Sequence, residues 1–139
     1  KGRRLQQHAK ATLEARSETE IIRAILKALN LMRGVVAFRL NVGAVEADYH
    51  GRTRWVKFGI RGMADIGGWS TEYAGARKIA RFLALEVKRP CKNPAGKLTP
   101  QQADYLDRVK QAGGIAAVVT SVDEALAAVR DAWARSLIP

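Results

Sequence analysis

Phe82-Leu83-Ala84-Leu85-Glu86-Val87-Lys88 is the stretch on which the reading of this chain turns. Side chains alternate along a strand, so Leu83, Leu85 and Val87 share one face while Ala84, Glu86 and Lys88 share the other. The apolar run from Phe82 to Leu85 predicts a central strand. A carboxylate in such a strand must be paired or must hold a metal. Lys88 projects with Glu86, about 7 Å further along the strand. A structural Glu86–Lys88 ion pair and a catalytic pair are both open at this point.

Upstream, Gly62-Met63-Ala64-Asp65-Ile66-Gly67-Gly68 predicts a short strand from Asp65 to Trp69, in a glycine-dense segment whose backbone is held close to something. Asp65 is either an Asx-type turn residue or the second of two carboxylates that hold a hard divalent cation with Glu86. Further upstream, Ser17 opens a helix with Ile22, Ile25, Leu26, Leu29 and Met32 at helical spacing, closed by Gly34. Val35 to Val42 and Thr53 to Phe58 are predicted to pair as a hairpin, with a turn over Ala44 to Gly51.

Downstream, Pro90 to Thr99 is a basic loop, Pro100 begins a second helix, and Gly113-Gly114 ends it. Gln102 shares a face of that helix with Leu106 and Val109 and so points toward the core. Ile115 to Thr120 is a buried strand, and Ser121 with Glu124 forms a capping box opening an Ala-rich final helix to about Arg135. The order α-β-β-β-β-α-β-α, with a parallel return through the second helix, predicts an α/β fold: a mixed central sheet flanked by helices. Residues 1–16 are expected to be a basic arm and 17–139 one domain.

The 139 residues carry 24 Lys and Arg against 13 Asp and Glu, a net charge of +11, with 47% hydrophobic residues. That hydrophobic share supports a core and excludes general disorder. A lone Cys91 forms no internal disulfide, and with no apolar run near ~20 residues and no signal-peptide core in Lys1 to Arg4 the expectation is a cytoplasmic, non-membrane protein, of the cytosol or of a virus-infected cytosol. The charge falls in three blocks: Lys1, Arg3, Arg4, Lys10 and Arg16; Arg52, Arg54, Lys57 and Arg61; and Arg77, Lys78, Arg81, Lys88, Arg89, Lys92 and Lys97. Such clusters release counterions from phosphates, so a nucleic acid is the expected partner, with Arg52, Arg54, Lys57, Arg61, Arg89, Lys92 and Lys97 as candidate DNA contacts. His8 and His50 have no partner at ligand spacing, which argues against zinc, and Trp55, Trp69 and Trp133 read as core or interface residues before base-stacking ones.

Asp65, Glu86-Val87-Lys88, Lys97-Leu98-Thr99-Pro100-Gln101-Gln102 and Gly113-Gly114, in that order, resemble the PD-(D/E)XK nuclease superfamily and, more narrowly, its VRR-NUC family. Ala64 stands where the superfamily name has Pro, a change to the turn that leaves the chemistry in place. The resemblance implies a restriction-endonuclease-like core in which Asp65 and Glu86 bind Mg²⁺ or Mn²⁺, with the Val87 carbonyl as a further ligand. It implies that Lys88 serves the attacking water or the developing charge, and that Gln102 and Glu20 join the site. Glu20 has a second reading, a capping box with Ser17. Stand-alone relatives resemble four-way (Holliday) junction resolvases, which implies a homodimer joined through helix one or the hairpin, cutting branched DNA to 5′-phosphate and 3′-hydroxyl ends. A flap-type repair nuclease and a DNA-binding module without catalysis are the alternatives.

Overall fold

The computed structural model describes residues 17–90 and 97–136. The basic arm, Cys91, Lys92 and His8 lie outside the described residues. The elements are α1 (Glu18–Leu29), β1 (Val35–Arg39), β2 (Gly43–Tyr49), β3 (Arg52–Phe58), β4 (Ile66–Ala74), β5 (Arg77–Val87), α2 (Pro100–Gln111), β6 (Ile115–Val119) and α3 (Val122–Ser136). The central sheet runs β1-β4-β5-β6, antiparallel except where β5 and β6 lie parallel. The return through α2 is therefore the one the sequence predicts.

Strand alternation divides the core. Leu83, Leu85 and Val87 face α1 and α3, packing with Ile22, Ile25, Leu29, Ala125 and Val129. Ala84 faces the other way and packs with Leu106 of α2. The sheet thus has helices on both faces. α1 is tied to β1 by Asn30, whose Nδ2 donates to the Ala37 carbonyl at 2.8 Å and whose Oδ1 accepts from the Ala37 amide at 3.0 Å.

Among the described residues five strands, not four, precede α2, and the predicted hairpin pairing is corrected. β1 pairs with β4, from Val35 opposite Ser70 to Arg39 opposite Ile66. The segment from Ala44 read as a turn is mostly strand β2, which joins β3 in a separate two-stranded sheet. Its turn is confined to His50 and Gly51, both left-handed (φ 52° and 71°), the conformation that tight hairpins favour. Glu46, Ala47 and Asp48 are weak strand formers and concealed β2. β4 and β5 also extend beyond the predicted segments, and their outer ends form a long hairpin turning at Gly75.

Candidate active site

Glu86 lies near the C-terminal end of β5, between β4 and β6, and is 1% exposed. Asp65 immediately precedes β4 and is anchored through both backbone and side chain. Its carbonyl accepts from the Leu40 amide at 2.8 Å, and its Oδ2 accepts from the Val87 amide at 2.8 Å. That second bond holds the Asp65 carboxylate against the strand segment carrying Glu86 and Lys88. Lys88 donates its amide to the Val119 carbonyl at 2.9 Å and its Nζ to Glu86 Oε1 at 2.6 Å. Asp65, Glu86 and Lys88 therefore converge.

Gln102 completes the cluster through the start of α2. Thr99 Oγ1 accepts from the Gln102 amide at 3.2 Å, and Gln102 Oε1 accepts from the Thr99 amide at 3.0 Å. With its oxygen committed to that capping box, Gln102 turns its Nε2 toward Glu86 and donates to Oε1 at 2.5 Å. The inward face inferred for Gln102 is the observed one. Gly62 seats the loop before Asp65 against α2: its φ is +84°, and a Cβ there would lie 2.5 Å from the Gln101 carbonyl. This is the close approach that the glycine density suggested.

Glu86 Oε1 thus takes two donors, while Oε2 is buried with no hydrogen-bond partner. An unsatisfied buried acceptor costs about 1–3 kcal/mol. Burial raises the Glu86 pKa above the ordinary carboxylate value; the Lys88 hydrogen bond opposes that, and the charges of Asp65 and Glu18 add to it. An acidic pair with one open, buried oxygen suits a hard cation such as Mg²⁺ or Mn²⁺. The protein ligand set is small, since no group of three His, Cys, Asp or Glu side chains among the described residues is placed to hold a metal.

Of the two readings given for Glu20, the capping box is the one observed. The Glu20 carboxylate accepts from the Ser17 amide at 2.7 Å and the Ser17 hydroxyl at 2.8 Å, completing the capping box, and Glu20 is exposed. Glu18, half-buried in the same first turn, is the acid of α1 whose charge reaches Glu86.

A cleft of about 420 Å³ opens beside Asp65, walled by Arg39, Asn41, Arg61 and Gln102 among others. Arg61 was expected near nucleic acid; Arg39, in none of the three charge blocks, was not. Glu86 and Lys88 are not in its wall; Glu86 accepts from Gln102, which is, and the Val87 amide between them donates to Asp65, which is too. Arg89 follows β5 and Lys97 precedes α2, both exposed. Arg52, Arg54 and Lys57 lie on exposed β3. The third charge block is split by the length of β5: Arg77 and Lys78 are at the end remote from Glu86, and Arg81 pairs with Glu72 at 2.9 Å. Trp133 donates to Ser70 Oγ at 2.7 Å and packs against the core, Trp69 is partly exposed, and Trp55 is on the outlying hairpin.

Compared with known proteins, the chain matches no family model and no curated protein.

Proposed function

We propose that this chain is a Mg²⁺- or Mn²⁺-dependent endonuclease of the PD-(D/E)XK type, and that it is a structure-selective enzyme of VRR-NUC kind acting on branched DNA as a homodimer. The observation that carries the reading is the Glu86 carboxylate, bridged on one oxygen by Lys88 and Gln102 and left open on the other beside Asp65. A buried carboxylate oxygen with no donor is an acceptor that a bound hard cation would satisfy.

Asp65, Glu86 and the Val87 carbonyl are the groups that would hold the cation. When bound, it supplies positive charge to the phosphate and eases loss of a proton from water. Lys88 holds an ammonium beside Glu86, a fixed positive charge for the charge that develops at phosphorus. Gln102 holds the Glu86 carboxylate in one orientation, because its own amide is fixed by the helix cap. Arg39 and Arg61 place guanidinium groups at the cleft, where they bind phosphates bidentately without reading bases. Recognition through phosphate positions selects shape, which is why junctions are the proposed substrate.

The small acidic set favours one second reading, a DNA-binding module without catalysis. The two part on a cleavage assay with labelled four-way junction, flap and duplex DNA in Mg²⁺ or Mn²⁺. The nuclease reading expects cutting by the wild type and a loss of about 10²–10³-fold in Lys88→Ala, the scale for removing one preorganised charge-stabilising group. If both proteins bind and neither cuts, the binding module stands.

A further inference from the structure

We propose that the β2–β3 hairpin is a ribbon that docks in a groove of B-form DNA, presenting Tyr49, Arg52 and Arg54 to a duplex lying at the mouth of the cleft. The placement of that duplex rests on the nuclease reading; the ribbon's affinity for DNA does not.

The register sorts the hairpin's charges by face. Tyr49 opposes Arg52, Ala47 opposes Arg54 and Val45 opposes Val56, and alternation puts these residues on one side. Glu46 opposes Trp55, Asp48 opposes Thr53 and Ala44 opposes Lys57 on the other. Both acids of the hairpin therefore share one face, and the opposite face carries two arginines and no acid. Cross-strand Val45 and Val56 stiffen the ribbon below its cationic end.

The hairpin is also without support of its own. Among the described residues no other strand or helix packs extensively against it, and apart from half-buried Ala47 every position is exposed. Two strands alone are marginal in water, so a partner that covers one face contributes to its order. The ribbon springs from Asn41 and Val42, which line the same cleft as Asp65 and Arg61. Its strands reach about 23 Å from that root, enough to follow a groove for much of a turn.

Charge and shape select the occupant. The major groove of B-form DNA is about 12 Å wide and admits a two-stranded ribbon, whereas the narrow major groove of duplex RNA does not. A second copy meeting through a two-fold axis would set this acid-free, arginine-bearing face against itself.

The test measures binding by fluorescence anisotropy to a duplex of about 30 base pairs, long enough for several helical turns. Divalent cations are left out, so nothing is cut and the result stands whether or not the chain proves catalytic. The double variant Arg52→Ala/Arg54→Ala is expected to bind DNA about tenfold more weakly near 0.1 M salt, with a salt slope reduced by about 1.8 for two lost phosphate contacts. Lys57→Ala, on the opposite face, is expected to weaken binding by less than about threefold, and duplex RNA to show a smaller loss than DNA in the double variant. The proposal is overturned by affinity of the double variant within about twofold of wild type, by an equal loss in Lys57→Ala, or by an equal loss on RNA. A shift in sedimentation mass caused by the double variant would overturn it in favour of a contact between copies.

Discussion

Glu86 shows how a buried, half-satisfied carboxylate weakens the fold that holds it. Its carboxyl is buried, its pKa is raised chiefly by that burial, and one of its oxygens has no partner. Between the ordinary glutamate pKa and the raised one, the folded protein binds a proton that the unfolded chain does not. The stabilising contribution is therefore complete below that window and is lost as pH rises through the raised value. In chelator at neutral pH, Glu86→Gln is expected to raise the melting temperature by about 3 °C, from roughly 1 kcal/mol of relieved burial. The variant should also lack the decline that wild type shows on raising pH from the ordinary glutamate value to neutrality. Scanning calorimetry over that range, with and without Mn²⁺, gives the check. The added ion should stabilise wild type and leave Glu86→Gln unmoved; a variant less stable than wild type at neutral pH would refute the account of Glu86.

The elements around that residue are held together by close backbone contact as much as by apolar packing. Gly62→Ala places a Cβ 2.5 Å from the Gln101 carbonyl at a left-handed φ of +84°, whereas Gly113→Ala has a similar φ of +86° with nothing within 4 Å. The strain is common to both, so the excess cost at Gly62, expected at about 1–3 kcal/mol, measures the contact that seats the Asp65 loop on α2. Urea denaturation should show the larger midpoint drop for Gly62→Ala, with unchanged m-values. Much of this arrangement was legible in the sequence. Leu83-Ala84-Leu85-Glu86-Val87-Lys88 predicted a buried central strand because apolar alternation reports burial directly, and Gln102 was legible because Leu106 and Val109 marked its face. The β2 strand was not, because its exposed residues include Glu46 and Asp48 and no core imposes a pattern on them. Glu18 escaped notice because a capping box is a local signal that draws attention to Glu20, while the charge of Glu18 on Glu86 depends on how α1 lies across the sheet.

At the scale of the molecule, the helix-one surface proposed for pairing is already in use. Ile21, Ile22, Ile25 and Leu29 are buried against the sheet and α3. The apolar surface left open is on the sheet itself, where Trp69 lies opposite both Val36 and Phe82 and meets Phe38 edge-on at 6.4 Å. If the protein works as a homodimer, this is the surface expected to join its copies, and Trp69→Lys should shift the sedimentation mass from dimer to monomer while leaving the melting temperature of the monomer within about 3 °C, as for a partly exposed site. Wild type that sediments as a monomer at micromolar concentration would dismiss the pairing altogether. Finally, the parallel partnership of β5 with β6 sets an order in time. Glu86 is translated before Gln102, and the bond from the Lys88 amide to the Val119 carbonyl closes the site's far edge only after α2 has crossed over. A growing chain on the ribosome can therefore bring Asp65 to the Val87 amide early, but it cannot complete the Glu86–Gln102 and Lys88–Val119 contacts until residue 119 has emerged, so the cluster is finished last.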